Sequence, residues 1–194
     1  MTTIHILIEG QASDFKTSDI THFPTSVLIE SDNNKIVFDP GVDQDMLTQA
    51  LKEKGLTVSD ITHVFISHLH LDHTLLAGIF PHAPVVTADT WYKGVKEGRH
   101  DENFFGKDVL IVKAGGHTES DSCLLVKTKD GNILLAGDMF WWSVNEIQES
   151  NTEDIIKHKD MFAVDQGKLE NERRKLITMS DIIIPGHGKP FKTK

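Results

Sequence analysis

Three histidines and one carboxylate occupy six consecutive positions in His68-Leu69-His70-Leu71-Asp72-His73, directly after the apolar run Val64-Phe65-Ile66. Imidazole and carboxylate are the ligands that a borderline divalent cation prefers. Placing four such groups beside an apolar core carries a heavy desolvation cost. A bound cation offsets that cost, so the segment reads as half of a metal site. Three further candidates follow strand-like runs and sit beside glycine: His117 in Gly115-Gly116-His117-Thr118, Asp138 in Ala136-Gly137-Asp138, and His187 in Pro185-Gly186-His187-Gly188. Glycine permits tight turns and close backbone approach, so each strand end can aim one polar side chain at a shared point.

The elements that must position these residues are legible from periodicity. Residues 4–8, 26–30, 35–39, 60–67, 85–88, 108–112, 122–128, 133–136 and 181–184 read as strands, with hairpin turns at 31–34 and 129–132. Residues 43–54, 152–158 and 166–179 carry helical spacing. Residues 74–80 open a further helix, and Asp89 caps a short helix over 89–95. Segment 10–24 is polar and reads as a loop. With 194 residues and no repeat, linker or low-complexity tract, the expected organisation is a single mixed α/β domain over 1–194.

Bulk properties narrow the function. A single cysteine, Cys123, excludes an internal disulfide and a thiolate-rich zinc cluster. A net charge of -9 disfavours nucleic acid and anionic membranes as partners. No run is long and apolar enough to span a bilayer. The N-terminus carries neither a basic region nor a small-residue cleavage site, so cytoplasmic localisation is the expectation.

Taken together, these motifs resemble the metallo-β-lactamase superfamily of binuclear hydrolases. The likeness rests on H-x-H-x-D-H at 68–73, Gly116-His117-Thr118, Gly137-Asp138, Gly186-His187-Gly188 and Phe38-Asp39-Pro40-Gly41, and spans about residues 25–190. It implies a four-layer αβ/βα sandwich. It also implies two divalent metal ions, zinc by default with iron or manganese as alternatives. His68, His70 and His117 would hold the first, Asp72, His73 and His187 the second, and Asp138 would bridge them. Asp39 would orient the site without touching metal. The implied chemistry is attack by a metal-bridging hydroxide on an ester, thioester or related bond of a small-molecule substrate, with Asp72 and Asp138 as catalytic residues. Because the histidines must be neutral, metal binding should weaken below about pH 6.

Within that family, Asp138 argues against the lactamases proper, which usually lack the bridging aspartate. The short stretch after Gly188 leads to the expectation of no C-terminal domain, unlike glyoxalase II. The segment His117-Thr118-Glu119-Ser120-Asp121-Ser122 is more similar to the short single-domain group called metallo-β-lactamase domain-containing protein 1. His73-Thr74-Leu75-Leu76-Ala77-Gly78 departs from the family's usual glycine pair, which leaves the substrate open. The alternatives are a metal-dependent phosphodiesterase or nuclease, a mononuclear iron oxygenase of the persulfide dioxygenase type, and a non-catalytic metal-binding protein. Oligomeric state is not readable.

The remaining histidines, His5, His22, His63, His82, His100 and His158, read as solvated or capping residues, with His63 facing solvent. Cys123 reads as core, and Thr118 and Ser122 as local hydrogen-bonding residues. Phe140-Trp141-Trp142 cannot all face one core, so at least one is expected at the mouth of the site. Loops 10–24, 98–107 and 140–152 are expected to set substrate choice.

Overall fold

The computed structural model describes residues 2–13 and 20–193. The first half of the chain forms strands β1 (Thr3–Ile8), β2 (Gln11–Ala12), β3 (His22–Phe23), β4 (Ser26–Ser31) and β5 (Asn34–Phe38), then helix α1 (Gln44–Glu53), strand β6 (His63–Phe65) and helix α2 (Leu71–Thr74). Strands β7 (Val85–Val86), β8 (Thr90–Lys93), β9 (Lys96–Arg99), β10 (Val109–Lys113), β11 (Ser122–Thr128) and β12 (Gly131–Leu135) follow. Helices α3 (Thr152–Lys157) and α4 (Gln166–Met179) and strands β13 (Ile182–Ile184) and β14 (Phe191–Lys192) complete it.

One sheet runs β1-β4-β5-β6-β7-β8-β9 and the other β10-β11-β12-β13-β14. Their central strands, such as β4, β5 and β11, are apolar on both faces because both faces are covered. Val27, Ile29, Ile36, Phe38 and Phe65 of the first sheet share a core with Ile111, Leu124, Val126, Leu135 and Ile184 of the second. The alternate residues point outward. Leu28, Val37 and Val64 pack under Leu47 and Leu51 of α1. Cys123, Leu134 and Ile183 pack under α3 and α4. The layers are therefore helix, sheet, sheet, helix, an α/β sandwich.

Parallel pairs occur where the chain crosses over, β5 with β6, β6 with β7 and β12 with β13. Their C-terminal ends lie on one edge of the sandwich. There the two sheets are joined directly: the Ser122 amide and hydroxyl both donate to the Ser67 carbonyl, at 2.9 and 3.0 Å.

Three expectations need correction. Residues 89–95 are not a helix; Thr90–Lys93 pairs with Lys96–Arg99 as a hairpin about Gly94, which has φ +60. The β-branched and aromatic Thr90, Trp91 and Tyr92 suit a strand, and Trp91 packs against the inter-sheet core. Segment 10–24 contains a short antiparallel pair, β2 with β3, rather than loop alone, and its residues 14–19 lie outside the described residues. His63 does not face solvent: its ring is half-buried against Phe104 and Phe105. Among the described residues no helix is long and apolar enough to cross a membrane.

Candidate metal centre

All seven residues singled out by residue type meet at that edge. The segment after β6 delivers Ser67 and His68, His70 stands at the start of α2, and α2 itself carries Asp72 and His73. The β10–β11 connection carries His117, a tight turn after β12 carries Asp138, and the end of β13 carries His187. His68, His73, His117, Asp138 and His187 are buried, and His70 lies nearer the surface.

Two groups emerge that could hold a metal ion: His68, His70, His117 and Asp138, and Asp72, His73 and His187. Asp138 stands between them with one oxygen toward each. Its Oδ2 is 3.8 Å from His68 Nε2 and 3.5 Å from His117 Nε2. Its Oδ1 is 3.3 Å from His73 Nε2 and 3.5 Å from His187 Nε2. Asp72 Oδ2 closes the second group at 3.5 Å from His73 Nε2 and 3.4 Å from His187 Nε2. His70 joins the first through Nδ1, 3.1 Å from His117 Nε2.

The donor set fits a small divalent cation. Tetrahedral bonds of about 2.0–2.1 Å separate ligand atoms by about 3.4 Å, close to the spacings here. His68 Nε2, His73 Nε2 and Asp138 Oδ1 are buried without a hydrogen-bond partner. Leaving such atoms unsatisfied is costly unless an ion engages them. Their outer nitrogens, by contrast, are tied down. His73 Nδ1 lies 2.7 Å from Asp39 Oδ2, and His117 Nδ1 lies 2.7 Å from Asp160 Oδ2. His68 Nδ1 lies 3.0 Å from Ser67 Oγ, which itself donates to Asp39 Oδ2 at 2.7 Å. A carboxylate behind a ring nitrogen fixes the tautomer that presents the other nitrogen inward.

Asp39 is fully buried and serves three donors, since the Ser67 amide also donates to its Oδ1 at 2.8 Å. Its backbone lies in the left-handed region, φ +46, unusual for a residue with a side chain. Gly186 is required by close approach: a Cβ there would lie 2.0 Å from Asp138 Oδ1. Its amide donates to the Gly137 carbonyl at 2.8 Å, holding the two strand ends together.

Burial and charge divide the protonation states. Burial alone would raise Asp138, but the charges on His73 and His187 hold it well below the usual carboxylate range. Asp72 is likewise opposed by burial, yet its contact with His187 and the charge on His73 bring it to about 2. Burial pushes His73 down, but Asp138 and Asp39 outweigh this and raise it well above the ordinary imidazole value. His117 is raised against burial by its hydrogen bond to Asp160 and the charge of Asp138. His68 is lowered well below by burial and the neighbouring His73, and His70 is lowered by burial and His117. The cluster thus carries ionised carboxylates facing imidazoles, and the ion pairs that Asp72 and Asp138 make among the described residues are all to histidines.

A cavity of about 330 Å³ opens over Asp72, Asp138, His70 and His187. Trp141 lines it, while Phe140 and Trp142 turn into the core beneath α3 and α4, so the aromatic run divides as its three consecutive positions require. Thr118 and Ser122 make local bonds, Thr118 Oγ1 to Asp121 Oδ1 at 2.5 Å and Ser122 Oγ to the Ser67 carbonyl.

His22 requires correction: instead of a solvated residue it lines the cavity, with Nε2 3.6 Å from Asp72 Oδ2. Asp160, Phe162 and Arg173 carry no sequence signal for the site. Asp160 stands behind His117, and its Oδ1 accepts from the Phe162 amide at 2.9 Å. Phe162 lines the cavity together with Leu71. Arg173, fully buried, donates from Nε to the Met139 carbonyl and from a terminal nitrogen to the His158 carbonyl, both at 2.6 Å. It therefore braces the turn bearing Asp138 and the segment bearing Asp160.

Comparison with known proteins agrees with this architecture. The family model for the metallo-beta-lactamase superfamily matches residues 20–90. The chain is 31% identical to metallo-beta-lactamase domain-containing protein 1 of Xenopus laevis, covering 98% of this chain and 81% of the relative. It is 26% identical to the human protein of that name over 77% of this chain, spanning 55% of that relative's length. Among solved structures, a metallo-beta-lactamase-like protein from Thermotoga maritima superposes with a TM-score of 0.73 at 21% identity, covering 98% of this chain and 99% of the other. The dizinc quorum-quenching lactonase AidC superposes at 0.59 with 14% identity, covering 87% of this chain and 74% of the other. These two structural likenesses speak to fold. Together with the near full-length relative, the convergent histidines and aspartates show that the chain belongs to the metallo-β-lactamase superfamily, most of whose members are metal-dependent hydrolases.

Proposed function

We propose that the chain is a metal-dependent hydrolase that holds two divalent cations and cleaves an ester, thioester or related bond. The observation that carries this reading is the division of Asp138 between the two groups, one oxygen to each. His68, His70 and His117 would hold one ion, and Asp72, His73 and His187 the other, with zinc suited to the mixed nitrogen and oxygen set. A bound pair of such ions supplies a water activated near neutral pH and a Lewis acid for the substrate oxygen.

The chain's own residues do the rest. Asp39, Ser67 and Asp160 hold the ring tautomers that turn nitrogen lone pairs inward. Asp72 borders the cavity and is ionised at neutral pH, so its carboxylate is placed to accept the proton of the attacking water and return it to the leaving group. The buried floor of the cavity excludes bulk solvent from the polar end of the site, which strengthens each charge interaction there.

Elemental analysis of the purified protein tests the reading. Two equivalents of metal per chain are expected, falling in Asp138→Ala together with hydrolysis of p-nitrophenyl acetate and of a thioester. One equivalent of iron, or full metal and activity in Asp138→Ala, would overturn it. Faster cleavage of bis-p-nitrophenyl phosphate than of either acyl substrate would move the reading to a phosphodiesterase.

A further inference from the structure

The geometry points to a substrate class: an uncharged acyl compound carrying a short apolar chain, laid along Trp141, Phe162 and Leu71 with its carbonyl toward Asp72 and Asp138. This rests on the hydrolase reading above and narrows it.

The cavity's lining is of two kinds. Asp72, Asp138, His70, His187 and His22 are its polar members, and Ala12, Leu71, Trp141 and Phe162 its apolar ones; among the described residues no lysine or arginine lines it. A second anionic group laid against Ala12, Leu71, Trp141 or Phe162 would lose its hydration without compensation. An apolar chain there instead removes surface from water on both sides.

The wall is built, not incidental. The Trp141 and Phe162 rings lie 5.7 Å apart at 36°, a tilted pair presenting one continuous apolar surface. Trp141 is held by its place in the chain, between Phe140 and Trp142, both anchored in the core. The Phe162 amide is fixed by Asp160, so the wall and the back of His117 share one carboxylate. Of the lining residues, Phe162 is 43% exposed and Leu71 70%. Large apolar groups clustered at a cavity mouth mark a surface used for binding. The volume, about 330 Å³, is at the small end of ligand sites, which sets the limit at a short chain or single ring.

Two measurements test this on the full chain. The first is kcat/KM of the metal-loaded protein on N-acetylcysteamine thioesters with a constant leaving group: acetyl, butyryl, hexanoyl and the adipoyl half-thioester. A rise of about fourfold per methylene is expected until the cavity is filled. The adipoyl compound, the hexanoyl chain capped by a carboxylate, should fall below acetyl. Phe162→Ala should flatten the series, costing the hexanoyl compound about tenfold and acetyl little. The second uses metal-free protein and follows tryptophan fluorescence with hexanamide. A saturable change is expected, lost in Trp141→Phe and weakened in Phe162→Ala and Leu71→Ser, two partly exposed positions where folding is not at stake. A flat chain-length series, adipoyl equal to hexanoyl, or a hexanamide signal that is absent or survives in Trp141→Phe would each overturn the proposal. Should the chain hold no metal and cleave no thioester, the hydrolase reading fails alone, because the fluorescence titration still reports on the apolar wall.

Discussion

Replacing Asp160 by asparagine separates support of a metal ligand from support of the fold. The Asp160 side chain is enclosed, and its two oxygens have different tasks, Oδ2 facing His117 Nδ1 at 2.7 Å and Oδ1 accepting the Phe162 amide at 2.9 Å. Asparagine has the same shape but one acceptor oxygen, so either His117 or Phe162 then faces an NH₂ donor. Loss of one charge-assisted hydrogen bond is worth about 1.5–3 kcal/mol. By the tenfold-per-1.36 kcal/mol relation this is roughly 10- to 150-fold in metal affinity, in line with the effect of removing an outer carboxylate behind a metal-binding histidine. The pH dependence gives the diagnosis. Against the lowering effect of burial, Asp160 helps to raise His117, so protons compete with metal in the natural protein as the medium acidifies. Without that carboxylate burial is less opposed, His117 falls, and proton competition weakens. The affinity ratio between natural protein and variant should be widest near about pH 8 and shrink toward about pH 6. Competition with a chromogenic chelator across that range measures it, with circular dichroism confirming an unchanged fold. A ratio near one, or one that does not vary with pH, would refute the role given to Asp160.

Three other outcomes follow from the same geometry. Gly186→Ala should lose metal and also be destabilised, because the added Cβ would stand 2.0 Å from Asp138 Oδ1 and 2.8 Å from the backbone carbonyl carbon of Gly137; retention of both ions by elemental analysis with an unchanged urea midpoint would contradict it. Arg173→Met should lower the stability of metal-free protein by about 3 kcal/mol in urea denaturation, since carbonyls of Met139, Ile156 and His158 all lose a cationic donor; an unchanged midpoint would show that Arg173 does not brace the site. In metal-free protein, His68→Gln should gain stability relative to the natural chain as pH falls below about 6.5. The folded His68 resists a proton that the unfolded chain takes up, so the natural protein loses stability through that window. Equal pH profiles for the two proteins would exclude this coupling.

What was legible in the sequence depends on how local the information is. The 68–73 segment announces itself because four candidate ligands lie within one turn of chain. His117, Asp138 and His187 were readable because each follows an apolar run and sits beside glycine. Helix α4 was readable because Asp165 caps it, accepting from the Lys168 amide at 2.9 Å, and its apolar positions recur on one face. His22, Asp160 and Phe162 were not, because nothing near them in sequence marks them; tertiary approach alone brings β3 and the 159–165 segment to the cavity. The 89–95 error has the same origin. Asp89 has the chemistry of a helix cap, but the pairing of 90–93 with 96–99 and the packing of Trp91 decide the outcome.

The arrangement of strands explains why the ligands arrive already spaced for metal. Two of the parallel pairs, β5 with β6 and β12 with β13, deliver their C-terminal ends to one edge, and backbone bonds close that edge. Ser122 ties the second sheet to Ser67 of the first, and the Gly186 amide ties the end of β13 to the turn after β12. The Gly186 carbonyl accepts from the Thr25 amide at 2.6 Å, drawing the first sheet against the same strand end. Separations among His68, Asp138 and His187 are therefore fixed largely by main chain, with little left to side-chain rotamers. A site framed in this way holds its carboxylates together against their mutual repulsion without relying on the ions to offset it. Ordering entropy is then met in folding, where sheet pairing offsets it, rather than at metal binding. Leu71, Phe162 and His22 lie outside the two main sheets, His22 in the small β2–β3 pair, so that constraint does not act on them, which is why the walls of the cavity rather than its floor are the place for substrate choice to change.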